Sequence, residues 1–178
     1  MKPIDLTNVK EAGESTRLPA GGYVVKIGFA EDVPEKEYIK IQYDIEGGEF
    51  HHYYADRMIA NPTWGWGGMM YKSYKPKALG MFKRFCSCVT KSNPGYLFDG
   101  NTNSDEKTLT DKLIGLVLGE EEYMGNDGTI KTRLYVVTEK TVEDIRNGNF
   151  KLPAKKLLQG GGFTSMPGGE DESDLPFS

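Results

Sequence analysis

A four-residue turn between two apolar segments constrains the fold of this chain more than any other feature. The turn, Gly125-Asn126-Asp127-Gly128, consists of residues that readily adopt the positive φ angles of a tight hairpin. Before it, Leu113–Leu118 is almost wholly apolar, which predicts a strand buried on both faces that continues through Gly119–Met124. After it, the alternation along Thr129–Val137 predicts the return strand. We therefore expect an antiparallel β-hairpin here.

Three further strands are predicted in the first third of the chain. Apolar and polar residues alternate along Tyr23–Phe29 and again along Tyr38–Ile45. Gly47-Gly48 then supplies a tight turn, and Phe50–Tyr54 follows as a third strand. Segment 23–54 is thus predicted to be a three-stranded antiparallel meander.

One helix is predicted between the third and fourth strands. Pro76–Thr90 begins with a proline, which suits a first helical position, and it carries one apolar stripe. Three strands, a helix and two strands are the arrangement of a five-stranded OB-fold barrel. A split antiparallel sheet with one packed helix fits the same order. The stripe consists of Ala78, Phe82, Phe85, Cys86 and Val89.

Composition divides the chain into one mainly β domain and two polar ends. Its 178 residues suit a single domain at 20–152, with an N-terminal arm at 1–19. Residues 153–178 are predicted to be a disordered Gly-rich linker and acidic tail. The formal net charge is −4, and the four carboxylates of 170–178 account for all of it. The body is therefore neutral, which leaves room for a local basic surface.

Several classes of protein are disfavoured by what the sequence lacks. The two histidines are adjacent, and the two cysteines form one CxC segment, so neither a zinc site nor a useful disulfide is expected. There is no P-loop and no nucleophile-elbow motif. No signal peptide or membrane span is expected either, since no apolar run is long enough. We expect a cytoplasmic protein that is not an enzyme and needs no cofactor.

The main functional signal is a basic and aromatic stretch, Trp64–Lys91. Its first part, Trp64–Lys75, is rich in glycine and is predicted to be a mobile loop whose aromatic rings are free to stack. Between Tyr71 and Lys91 the stretch has six basic residues and no acidic one. Lysines neutralise phosphates and flat rings stack on unpaired bases, so this composition is typical of a single-strand groove. The alternative is that the lysines form a solvated helix face and the tryptophans fill the end of the barrel. The candidate DNA-binding residues here are Trp64, Trp66, Tyr71, Lys72, Tyr74, Lys75 and Lys77.

Two predicted strands add candidates on their outward faces. Each face mixes an aromatic ring with basic groups, which suits an oligonucleotide. Exposed strands also carry such residues for β-propensity alone, so that interpretation stays open. The candidates are Tyr38 and Lys40 on the second strand and Lys131, Arg133 and Tyr135 on the last.

The C-terminal tail combines carboxylates with an apolar tip. Such a tip is expected to bind a basic-rimmed apolar pocket on a partner protein, or to compete with DNA for the chain's own basic groove. A purely solubilising tail is the alternative. The candidate partner-binding residues are Asp171, Glu172, Asp174, Leu175, Pro176 and Phe177.

This ending resembles the acidic tip of bacterial single-stranded DNA-binding proteins, although Ser178 follows Phe177 here. The body is similar to a phage and prophage single-stranded DNA-binding family of Gram-positive bacteria. The segments that carry this resemblance are RLPAGGYVVKI (17–27), EDVPEKEYIKIQYDI (31–45), KALGMFKRF (77–85), SNPGY (92–96) and LGEEEYMGNDGTIKTRLYV (118–136).

The resemblance implies a protein that coats single-stranded DNA during phage replication or recombination in the host cytoplasm. Its tail would recruit replication or recombination proteins, and homo-oligomerisation is left open. Two alternatives remain: an accessory protein that docks onto replication proteins without binding DNA, and a subunit of a recombination nuclease.

Overall fold

A single five-stranded antiparallel sheet organises the part of the chain described by the computed structural model, namely residues 1–5, 7, 17–101 and 104–159. The strand order is β3-β2-β1-β4-β5, so β3 and β5 are the two edges. The strands are β1 (Gly21–Val33), β2 (Tyr38–Ile45), β3 (Met69–Ser73), β4 (Leu113–Met124) and β5 (Ile130–Lys140). The helices are α1 (Tyr53–Ala60), α2 (Leu79–Ser92) and α3 (Val142–Arg146).

The predicted architecture of five strands, with a helix between the third and fourth, is confirmed. The sheet is not closed, because β3 and β5 do not pair, so it resembles a barrel only loosely. Helix α2 contacts both of these edge strands as well as β4. Its Arg84 donates a hydrogen bond of 3.1 Å to the Thr138 hydroxyl on β5.

The core lies between the inward face of the sheet and α2. Val25, Ile27 and Ile41 are fully buried, as the alternation along the first two strands predicts. Phe85 and Val89 of the predicted helical stripe are fully buried as well. The predicted hairpin is also present, with the Gly125 N–H donating to the Thr129 carbonyl at 2.8 Å.

The predicted position of the third strand was wrong. Phe50–Tyr54 does not form a strand, because α1 begins at Tyr53. The cause is the Asp44 carboxylate at the end of β2, which accepts the backbone N–H groups of Tyr54 and Ala55 at 2.9 and 3.0 Å. These bonds satisfy N–H groups in the first helical turn, which otherwise have no partner within the helix.

Strand β3 lies instead in the segment that we predicted to be a mobile glycine-rich loop. Gly68, just before β3, accepts the Tyr43 N–H at 2.8 Å. A Cβ added to Gly68 would lie 2.2 Å from the Tyr43 carbonyl oxygen, so only glycine permits this approach to β2. The glycines therefore serve close strand packing here.

One residue of the predicted arm and one of the predicted tail pack or pair with the rest of the fold. Leu18, in the predicted arm, is fully buried. Lys156, in the predicted disordered tail, forms a parallel bridge with Glu121 of β4. Residues 160–178, which include all six candidate partner-binding residues, lie outside the described residues. Within the described part, no helix is long and apolar enough to cross a membrane.

Candidate nucleic-acid interface

A cleft of about 480 Å³ is lined by residues of α1 and β5, together with residues that precede β1 and β3. Three of its lining side chains are guanidinium groups, and two others are an exposed indole and a tyrosine. We call it the arginine cleft and define it by Arg17, Tyr53, Arg57, Trp64, Thr132 and Arg133.

The α1 side of the cleft is built around Arg57. Its guanidinium carbon lies 5.0 Å from the centre of the Trp64 ring and 5.5 Å from that of Tyr53. Arg57 also donates a hydrogen bond of 3.2 Å to the Tyr53 hydroxyl. Trp64 is 61% exposed, an unusual degree for an indole. A cation and an accessible flat ring therefore lie side by side.

The β5 side contributes Arg133, with Arg17 beside it. Arg17 donates a hydrogen bond to the Thr132 carbonyl, which ties the residue before the buried Leu18 to β5. Arg133 donates to the Glu121 carboxylate at 2.7 Å and lies 5.1 Å from the centre of the Tyr123 ring. Glu121 offsets one of the three positive charges, so the cleft keeps a positive excess.

The wall of the cleft beneath α1 is neutral. Burial raises the pKa of Tyr54 to about 12, so its hydroxyl stays protonated at neutral pH. Its ring packs edge-on against Tyr43 with 5.8 Å between ring centres. The charge of the cleft is therefore set by its guanidinium groups and by Glu121.

Of the predicted DNA-binding residues, the structure brings Trp64 and Arg133 together in this cleft. Trp66 has a different role, because it is half-buried against the core. Its indole N–H donates to the Tyr43 carbonyl at 3.0 Å. The prediction that Trp66 lies in a mobile loop and is free to stack on a base is therefore wrong. Its side chain instead fixes the segment before β3 to β2.

We expect Trp66→Phe to lower the free energy of unfolding by about 1–3 kcal/mol, since it leaves the Tyr43 carbonyl without the indole N–H. Denaturant unfolding of the purified protein measures this. Trp64→Phe is the matched control and should change stability by less than about 0.5 kcal/mol, because Trp64 is exposed. Equal stability of the two variants would show that the Trp66 hydrogen bond does not hold this segment.

Lys72, which we predicted to contact a phosphate, is instead largely buried. Its ammonium forms an ion pair with Glu139 of β5, and the two side chains are only 14% and 4% exposed. Burial, with a smaller contribution from Arg84, lowers the pKa of Lys72 to about 8. Lys72 is therefore still protonated at neutral pH, and it joins the two edge strands rather than facing solvent.

The other candidates on β2 and β3 lie outside the cleft. Tyr38 is buried, not outward as predicted, and meets Tyr71 edge-on with 5.4 Å between ring centres. Lys40 is half-buried opposite Tyr71 in the strand register. The Tyr74 hydroxyl donates to Asp32 at 2.8 Å, and burial is the main cause that raises its pKa to about 12.

The remaining candidates are spread over the surface. Lys75 is half-buried, and Lys77 is exposed in the turn before α2. Lys131 forms an ion pair of 3.2 Å with Asp127 of the hairpin turn. The Tyr135 ring lies 4.0 Å from the Lys156 ammonium.

Sequence reasoning missed Arg17, Tyr53 and Arg57. Arg17 was assigned to the arm and Tyr53 to a strand, so neither was considered as a ligand-binding residue. The spacing of Tyr53 and Arg57, four residues apart, is a signal that was available, because it places both on one face of a helix.

Comparison with protein-family models finds no match to this chain, and comparison with curated proteins finds none either. Among the described residues, no group of three or more histidine, cysteine or acidic residues is arranged to hold a metal ion. The functional conclusion therefore rests on the fold and on the arginine cleft.

Proposed function

We propose that the protein binds single-stranded DNA, without strong sequence preference, in the arginine cleft. The observation that carries this proposal is that three guanidinium groups line one cleft together with an indole that is 61% exposed. Guanidinium groups bind phosphate oxygens in a bidentate manner, and an accessible indole stacks on an unpaired base of any identity.

Single-stranded rather than duplex DNA is favoured by the stacking partner. In a duplex the base faces are covered by neighbouring base pairs, so Trp64 would have no base on which to stack. No part of this proposal requires catalysis. The biological setting that we propose, strand coating in phage replication or recombination with the acidic tail recruiting partner proteins, follows the sequence resemblance.

The salt dependence of binding tests whether the arginines meet phosphates. If all three do, the logarithm of the affinity for oligo-dT should fall with the logarithm of salt concentration at a slope of about −2. Arg57→Gln or Arg133→Gln should each reduce the steepness by about 0.7, since each removes one phosphate contact. Fluorescence anisotropy of labelled oligo-dT over a salt series provides the measurement.

Lys36→Gln is the matched control, since Lys36 is exposed in the turn after β1, away from the cleft. It should leave both affinity and slope unchanged. If the arginine variants and the parent show the same slope of log affinity against log salt, the phosphates do not bind in the arginine cleft.

A further inference from the structure

A second cavity, of about 580 Å³, lies at the opposite end of β1 from the arginine cleft. Its floor is apolar and includes Leu79 and Phe82 of α2 together with Phe98. Its rim carries the carboxylates of Asp32, Asp99 and Glu106 against the single ammonium of Lys83. We call this cavity, defined by these seven residues, the acidic pocket.

The charge around the acidic pocket determines which ligands it suits. Hydrogen bonds, first from the Asn101 backbone, lower the pKa of Asp99, so it is ionised at neutral pH. The nearby turn after β1 adds Glu35, Lys36 and Glu37, which are exposed and carry one further net negative charge. Such a rim repels a phosphate backbone, and it attracts lysines that flank an apolar side chain able to occupy the floor.

This chain displays a segment of that kind. Lys151–Leu158, KLPAKKLL, is exposed along its whole length. It carries three lysines, of which Lys155 pairs with Glu122 of β4 at 3.1 Å in the single chain. Its Leu152 and Leu157 are 47% and 67% exposed. Contact with a partner is one reason for which a protein exposes leucines in this way.

The segment and the acidic pocket of one chain are too far apart to meet. The segment is bound to β4, where the Lys156 carbonyl accepts the Glu122 N–H at 2.9 Å. This point lies just beyond Leu118, which pairs with Gly21 at the start of β1. The pocket lies at the other end of the 13-residue β1, about 40 Å away at the rise of an extended strand.

We propose that the acidic pocket receives the Lys151–Leu158 segment of a second copy of this chain. Leucine side chains of the segment occupy the apolar floor, and its lysines pair with the rim carboxylates. Because the pocket and the segment lie at opposite ends of the molecule, we take the contact to be head to tail rather than reciprocal, so that every dimer keeps one pocket and one segment unoccupied. Association therefore continues head to tail into an open array.

Sedimentation velocity of the full-length protein without DNA tests this proposal. The average mass should rise with protein concentration and continue beyond the dimer, and added salt should weaken the association because the contact is charged. Glu106→Lys in the pocket and Leu152→Asp in the segment should each weaken it about tenfold or more. Glu49→Lys, the same charge change at an exposed residue outside the pocket, should leave it unchanged.

Mixing the two variants gives the sharper result. The intact pocket of the Leu152→Asp variant accepts the intact segment of the Glu106→Lys variant, so an equal mixture should stop at the dimer. Circular dichroism shows whether each variant is folded, and Leu79→Lys, at an exposed position, replaces Glu106→Lys if that variant is not. A parent that stays monomeric, a mixture without dimers, or variants that associate as the parent does would each overturn the proposal.

Discussion

Replacing Glu139 by leucine should lower the free energy of unfolding by about 3–5 kcal/mol, because the Lys72 ammonium loses its partner in a largely buried position. The ion pair crosses between β3 and β5, the only two strands of the described sheet that each have a single neighbour. No backbone hydrogen bonds join these edges, so the pair and α2 hold them together. Denaturant unfolding measures the loss.

The double variant Lys72→Met with Glu139→Leu is the control. It replaces two buried charges by apolar groups of similar length, and should recover most of the lost stability. If Glu139→Leu alone is within about 1 kcal/mol of the parent, the ion pair does not hold the edges together.

The same single variant should show a distinctive pH dependence. Burial places the pKa of Lys72 at about 8 in the folded protein, below its ordinary value of 10.5. Between these values the unfolded chain binds more protons than the folded one, so stability rises with pH. Above pH 8 the parent and Glu139→Leu share this gain. Without Glu139, however, the pKa of Lys72 should fall below the parent's value of about 8. The deficit of Glu139→Leu relative to the parent should therefore shrink as pH rises towards 8 and stay constant above it, whereas the double variant should show no such recovery.

Replacing Trp64 by alanine should weaken binding of oligo-dT by about 1–3 kcal/mol, which corresponds to about 5- to 150-fold in the dissociation constant. The variant loses the ring that stacks on a base. Titration of labelled oligo-dT at constant salt measures the change. The thermal transition should be almost unaffected, because Trp64 is 61% exposed.

Trp64→Phe is the graded control, since a smaller ring still stacks on a base and should recover part of the affinity. Unchanged affinity in Trp64→Ala would mean that the indole has no contact with DNA. A large fall in the unfolding temperature would instead show that Trp64 stabilises the fold.

Much of the fold follows from local sequence pattern. Alternation predicts β2, and the Gly125–Gly128 turn predicts the β4–β5 hairpin, because both signals arise within a few residues. The third strand could not be placed in the same way. Its position depends on Asp44, which caps α1 from the preceding strand, and on the close approach of Gly68 to Tyr43.

The candidate site is harder to predict for the same reason. A count of charges along Tyr71–Lys91 finds Lys72 but not Glu139, which lies far along the chain and neutralises it. The arginine cleft depends on tertiary structure, because Arg57 of α1 and Arg133 of β5 are far apart in the chain and line the same cleft. Local composition indicated the kind of chemistry, whereas tertiary packing decides which residues are available for it.

The most direct test of the proposed function is a fluorescence titration of the Trp66→Phe protein, whose only tryptophan is Trp64. Oligo-dT should quench this fluorescence to saturation, and duplex DNA of the same length should quench it little and bind more weakly. Equal affinity for duplex, or no response of Trp64 to oligo-dT, would contradict single-strand binding in the arginine cleft.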